Sequence, residues 1–201
     1  MSYSRAIPLR KQPCLACSAL WAALCFIATL GAGTAIAADS RLTLREVRSA
    51  VDEGVFELDA KLEIELPEDA RKAVEAGLTL TLTYEVEVSR VRRYMLDDGI
   101  ATLEQRYEVS YHALSQRYLV RNLNTAEQQD FGTLRAALDR VGDLRGLPVL
   151  DTALISDDAV YQGRIRAVLG LNTAPDVLGW LLFWTDDWSA TSDWKSWTLQ
   201  P

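Results

Sequence analysis

From Phe56 to Leu66 the chain alternates without interruption: Phe56, Leu58, Ala60, Leu62, Ile64 and Leu66 are apolar, and Glu57, Asp59, Lys61, Glu63 and Glu65 stand between them. A period of two puts every apolar side chain on one face of an extended strand and every charge on the other. Such a segment fits an antiparallel sheet with one face buried and one in water, and it does not fit a helix. The same period returns from Leu78 through Leu80, Leu82, Tyr84, Val86 and Val88. Continued to Met95, that strand would extend about 60 Å, well beyond the usual length, so a bend or bulge is expected in it.

Turn chemistry joins these strands. A strand near Leu42 to Val51 should form a hairpin with the Phe56 strand across Asp52-Glu53-Gly54. Pro67 to Ala76 reads as a short helix, with proline at the start, Glu68 and Asp69 in the first turn and Gly77 just past the end. Asp98-Gly99 is a two-residue hairpin signal. Pairing Asp97 with Ile100 sets Val88 opposite Val109, Val86 opposite Tyr111, Arg93 opposite Glu104 and Tyr107 opposite Arg90. A turn near Leu114-Ser115-Gln116 leads into Arg117 to Leu123, where one residue of slip decides whether Tyr118 and Val120 or Leu119 face inward. Asn124 to Gln129 is polar loop. Asp130 is placed to cap a second helix with Phe131, Leu134, Leu138 and Val141 on one face, and Val149–Ile155 with Val160–Leu171 suggests another hairpin about Asp157-Asp158. The fold expected is mainly β: an antiparallel β-sandwich of about seven strands with two or three short helices.

Residues 1–37 carry a different message. Arg5, Arg10 and Lys11 precede an apolar run from Cys14 to Leu30, and Ala35-Ile36-Ala37-Ala38 follows as a small-residue cleavage site, the layout of a secretory signal. Cleavage there leaves residues 38–201 as a single periplasmic domain. The alternative is an uncleaved inner-membrane anchor over residues 14–36, with the domain still in the periplasm. Cys14, Cys17 and Cys25 all lie in the signal, so the mature domain is free of cysteine and must be held by its core. Loss of three basic residues takes the net charge from −7 to −10, which argues against a nucleic-acid partner.

Two surfaces stand out as binding candidates. Arg90, Arg92 and Tyr94 continue the inward parity of Val86 and Val88, and the expected register sets Tyr107 opposite Arg90, which makes a cationic and aromatic tip. Five of six tryptophans, Trp180, Trp184, Trp188, Trp194 and Trp197, fall in the last 22 residues. Trp180, Trp184 and Trp188 are spaced for one helix face. Three readings of this ending compete: indoles closing the core, a patch docking on a membrane surface or an envelope protein, and a platform for sugars.

A complete catalytic set is not evident. His112, the one histidine, shares a strand parity with Ser110 and Glu108, but residues two apart on a strand have no forced hydrogen bond, and the chain has no Gly-x-Ser-x-Gly elbow. One histidine and no mature cysteine leave carboxylates as the main metal ligands, a poor set for zinc, and Asp97-Asp98, Asp157-Asp158 and Asp186-Asp187 lack the pattern of a calcium loop. No metal and no cofactor is therefore expected. Paired carboxylates for glycoside hydrolysis depend on the fold, not on spacing.

Arg92-Arg93-Tyr94, the block from Tyr111 through His112, Ser115 and Arg117 to Tyr118, and the ending Trp188, Ser192, Trp194, Trp197 resemble the pattern of an uncharacterised bacterial envelope family, domain of unknown function 4390. The resemblance covers the mature chain. It implies no assigned activity, and it implies an envelope signalling partner, because genes of the family lie beside those of a membrane sensor kinase. The residues and the resemblance together give an expectation of a non-enzymatic envelope binding or accessory domain, acting through Arg90, Arg92, Tyr94 and Tyr107 or through Trp188, Trp194 and Trp197. A carboxylate-dependent hydrolase of cell-wall or sugar polymers is the alternative.

Overall fold

The computed structural model describes residues 41–92, 98–156, 159–172 and 189–199. These build two antiparallel sheets arranged as a sandwich. The smaller sheet has the order β1 (Arg41–Asp52), β2 (Val55–Glu65), β7 (Asp143–Asp151). The larger runs β10 (Lys195–Leu199), β8 (Tyr161–Asn172), β3 (Thr79–Arg90), β4 (Asp98–His112), β5 (Arg117–Asn122), β6 (Gln128–Phe131), with β9 (Ser189–Thr191) beside β10 on the edge of β8. Helix α1 (Glu68–Glu75) links β2 to β3, α2 (Leu134–Gly142) runs directly into β7, and a 3₁₀ turn spans Thr152–Leu154. The three strands beyond the expected seven are β6, β9 and β10, each five residues or fewer and too short to show a clear period.

The first hairpin forms as the alternation requires. β1 and β2 pair across Asp52–Val55, with Glu53 and Gly54 both at positive φ, and Phe56, Leu58, Ala60 and Leu62 are buried. α1 ends in a full Schellman motif: Leu78 N donates to Ala73 O, Gly77 N donates to Val74 O, and Gly77 has φ of 100°. Pro67 precedes this helix as its cap residue.

The β3–β4 register differs from the expected one by eight residues. Val88 lies opposite Ala101 instead of Val109, Val86 opposite Leu103 instead of Tyr111, and Tyr107 opposite Leu82 instead of Arg90. An even shift leaves both apolar faces intact, so face matching alone does not separate the two registers. Asp98 and Gly99 are strand residues facing Arg90 and Ser89, and the ladder skips Ile100 beside them. The glycine thus accompanies a bulge rather than a turn, and the expected irregularity falls on the partner strand. Residues 93–97, including Arg93, Tyr94 and Met95, lie outside the described residues.

Two further expectations are corrected. Asp130 does not cap a helix: it pairs with Leu119 in β6 and forms an ion pair with Arg117, while Thr133 Oγ1 accepts from Ala136 N at 3.2 Å and starts α2. Nor do the segments either side of Asp157-Asp158 form a hairpin. β7 pairs with β2 and β8 with β3, so the chain crosses from one sheet to the other there. The inward choice on β5 resolves to Tyr118 and Val120.

β3 is central to the core. Leu80, Leu82, Tyr84, Val86 and Val88 are at most 1% exposed, and strands pair on both sides of them. Tyr84 OH donates to Val141 O at 2.8 Å, which fixes the last turn of α2 to the large sheet, and its ring meets Tyr107 edge-on at 6.4 Å. Across the molecule, Lys195 Nζ donates to Leu44 O at 3.2 Å and Arg45 O at 2.7 Å. Those carbonyls lie at a bulge in β1, so one lysine of the large sheet satisfies the irregular edge of the small one.

Tyr84 also links stability to pH. Burial pushes its phenol far above the ordinary 10.0, with Tyr107 and Asp143 adding in the same direction. A raised acid favours the folded state fully below the unfolded value, and that support is lost as the pH climbs above about 10. Tyr84→Phe should cost about 1–2 kcal/mol at pH 7 from the unanswered Val141 carbonyl. Urea unfolding measured from pH 7 to 11.5 should show a shallower alkaline fall in the variant than in the parent.

Candidate binding surfaces

One end of the sandwich gathers the turn of β1–β2, the end of β3, the start of β4 and the segment from Thr152 to Tyr161. Thr152 N and Oγ1 both donate to Gly54 O, at 2.9 and 2.8 Å, Val91 N donates to Val160 O at 2.9 Å, and Ser156 N donates to the hydroxyl of Tyr161 at 3.1 Å. Beneath lies a small separate core of Phe56, Val88, Leu150, Tyr161 and Leu199. This end, the hairpin pole, carries Val51, Val91, Ile100, Leu154 and Val160, each 37% to 65% exposed. Among the described residues the only other exposed large apolar chains are Leu114 and Leu123.

The pole holds Arg90 and Arg92 as well. Arg90 pairs in the ladder with Asp98 and Tyr161, and Arg92 forms an ion pair with Asp98. Tyr107 is not part of it. Eight residues of register separate the two, and Tyr107 is 7% exposed within the core, where burial raises its phenol above the ordinary value. The expected cation–π pairing of Arg90 with Tyr107 is therefore absent, and Tyr94 lies outside the described residues.

The terminal tryptophans divide between two faces. Trp197 is turned inward over Gly163, so close that a Cβ at 163 would sit 2.3 Å from the indole, and it packs against both cores. Its Nε1 is buried and has no hydrogen-bond partner among the described residues. Trp194 lies on the outer face of the large sheet, its ring 4.6 Å from the guanidinium carbons of both Arg164 and Arg166. Those arginines reach across the ladder to the residues they face on β3: Arg164 Nε to Glu87 at 2.8 Å and Arg166 Nε to Glu85 at 2.5 Å. Glu85 also faces Glu104 on β4, a like-charge pair offset by Arg166 on one side and Arg106 on the other. Trp180, Trp184 and Trp188 lie outside the described residues.

At the end away from the hairpin pole, a groove of about 1040 Å³ runs between β2, α1 and α2. Arg45, Arg135 and Arg145 on its walls are ion-paired with Glu63, Asp139 and Asp143. Tyr118 OH donates to Glu75 Oε1 at 3.4 Å in the same place, and burial followed by that carboxylate raises the phenol above its ordinary value. Sequence reasoning did not find this groove. Its walls come from five separate stretches of chain, and no short motif connects them.

A family model described as a domain of unknown function, DUF4390, matches residues 39–198. The chain belongs to this family. No curated protein and no solved structure matches it. Several of the described residues that carried the resemblance to DUF4390 have structural duties. Tyr111 and Tyr118 face each other across the β4–β5 hairpin with ring centroids 5.0 Å apart. His112 Nδ1 lies 2.9 Å from Ser115 Oγ and accepts from Ser115 N at 3.3 Å, so the histidine braces its own turn and is not seen to engage Ser110. Gln116 closes that turn at a φ of 53°.

Ser192 fills the gap between β9 and β10 on the edge of β8. Its N donates to Ala167 O and its Oγ accepts from Ala167 N, both at 2.9 Å, so the ladder continues through a residue outside either strand. Among the described residues no cluster of three or more His, Cys, Asp or Glu could hold a metal ion, and no helix is long and apolar enough to cross a membrane. The contact of Trp197 with Gly163 yields a direct test. Gly163→Ala should destabilise the DUF4390 domain by about 1–3 kcal/mol through overpacking. In a Trp197→Leu background the same change should cost less than about 0.5 kcal/mol, a coupling read from a double-mutant cycle in urea.

Proposed function

We propose that this chain is an exported, non-enzymatic binding domain of the bacterial envelope, and that it meets its partner with the hairpin pole. The observation that carries this reading is the concentration of exposed Val51, Val91, Ile100, Leu154 and Val160 around Arg90 and Arg92. Apolar side chains gathered with arginine are the composition of a protein interface, whereas scattered apolar residues are ordinary surface. An envelope signalling protein is the partner class the family resemblance implies.

A hydrolase of cell-wall or sugar polymers is the rival reading, and the groove supplies it with carboxylates. A general acid in such an enzyme needs a pocket that favours its neutral form. Glu63, Asp139 and Asp143 stand instead in ion pairs with arginine, which favours the binding reading.

Photo-crosslinking in intact envelopes tests the proposal. A crosslinker at 154 or 160 should give a defined protein adduct that a crosslinker at Leu114 does not. Leu154→Glu with Val160→Glu should abolish that adduct when probed from position 91, with the thermal midpoint of the purified protein moving by less than about 2 °C. Identical adducts from 114 and 160, or an adduct indifferent to the double substitution, would overturn the assignment.

A further inference from the structure

β1 is the outermost strand of the small sheet, and among the described residues no strand pairs with its second side. Its two halves differ. Around Leu44 and Glu46 the strand is bulged, and Lys195 holds the carbonyls of Leu44 and Arg45. Both features keep a sheet edge from pairing with another chain. From Val47 to Asp52 the register is unbroken, and neither feature is present.

The turn fixes which backbone groups this half presents. Glu53 and Gly54 form a two-residue loop at positive φ, so Asp52 and Val55 exchange both hydrogen bonds across it. By alternation Ala50 and Arg48 also bond to β2, and the N–H and C=O groups of Val51, Ser49 and Val47 point to the open side. The side chains of those same three residues lie on the inner face, opposite buried Phe56, Leu58 and Ala60. Val51 is nevertheless 45% exposed. The inner face is uncovered at this margin, where one more strand would continue it.

We propose that this strand is β1 of a second copy of the chain: two copies join antiparallel through Arg48–Asp52 about a twofold axis at Ala50, and their small sheets become one continuous sheet. Charge selects this register. A twofold at Arg48 would set that guanidinium against its own copy, and one at Ser49 would set Glu46 against Asp52. A twofold at Val47 would need the bulge and the carbonyls that Lys195 holds. With the axis at Ala50, Arg48 of each copy lies opposite Asp52 of the other, the Ala50 methyl groups meet between them, and Ser49 and Val51 exchange main-chain hydrogen bonds. Asp52 has no ion-pair partner among the described residues. Arg48 lies 3.3 Å from Glu46, in a pair whose side chains are 77% and 59% exposed and which is worth little. A guanidinium carries several N–H donors, so Arg48 can keep Glu46 and still engage Asp52 of the second copy. On β2, Glu57 faces Ala50, which puts it and its copy about 14 Å apart, beyond the screening length. Val51 is shared with the hairpin pole, but the pairing does not depend on what that pole binds.

Sedimentation of the exported chain, purified from envelopes, tests the proposal over about 1 to 100 μM, where the parent should pass from monomer to dimer. Arg48→Asp alone and Asp52→Arg alone should each weaken the dimer about tenfold or more, since each replaces attractive pairs by repulsive ones. The chain carrying both reversals should dimerise again. Mixing the two single variants should give the mixed dimer in preference to either homodimer, because only there does every Asp meet an Arg. The thermal midpoints of all variants should stay within about 2 °C of the parent, both side chains being exposed. A parent that stays monomeric at the highest of these concentrations overturns the proposal. So does a dimer indifferent to the single reversals, or a pair of single variants that does not recover on mixing.

Discussion

Two sheets of unequal width cannot cover one another, and most of this molecule follows from that mismatch. Strands lie about 4.8 Å apart, so six abreast span roughly 24 Å between their outer axes and three abreast only about 10 Å. β1, β2 and β7 therefore cover only part of the apolar face of the large sheet. α2 supplies the missing cover over β5 and β6, with Ala137, Leu138 and Val141 inward and the Tyr84 hydroxyl holding its last turn. The two flanks of the small sheet are then closed by different means. On the β1 flank a lysine bonds across to two carbonyls, and on the β2–β7 flank the helix pushes the strands apart and leaves the groove.

The class of fold was legible because period-two alternation is a property of consecutive residues. Phe56 to Leu66 and Leu80 to Val88 could bury one face only by lying flat on a sheet, and both do. Register was less legible, since the alternation repeats every two residues. Val88 finds an apolar inward neighbour at Ala101 or at Val109, and the real turn chemistry of Asp98-Gly99 was outweighed by twelve consecutive pairings of β3 with β8. The apparent hairpin about Asp157-Asp158 failed for a related reason. Adjacent strands in sequence usually pair, but here the second half of the chain had two open sheets to join and gave one strand to each.

The candidate sites show the same division. Arg90 and Arg92 were recognisable from composition alone, and the structure sets them among exposed apolar residues that no motif announced. Tyr107 was assigned to them through the mistaken register and belongs instead to the core. The tryptophans carried no parity signal, because β10 is only five residues long. Trp197 is inward because a glycine faces it, and Trp194 outward because two arginines do, both facts of strand pairing. The groove was beyond reach for a plain reason: its edge is defined by where a neighbouring strand stops.

The central place of β3 has a consequence for how the chain comes to be folded. Its hairpin partner β4 is close in sequence, but the pairing of Glu85 with Arg166 joins residues 81 apart, and that of Arg45 with Lys195 joins residues 150 apart. Closing loops of this length delays pairing, and during synthesis the partner does not yet exist. At roughly 5–20 residues per second, β3 waits about 4 to 16 s before the matching residues of β8 are made. Throughout that interval the face bearing Leu80, Leu82, Tyr84, Val86 and Val88 has no complete cover. The topology thus sets a period in which the nascent chain is sticky and unfinished, open to handling by chaperones before its large sheet can form.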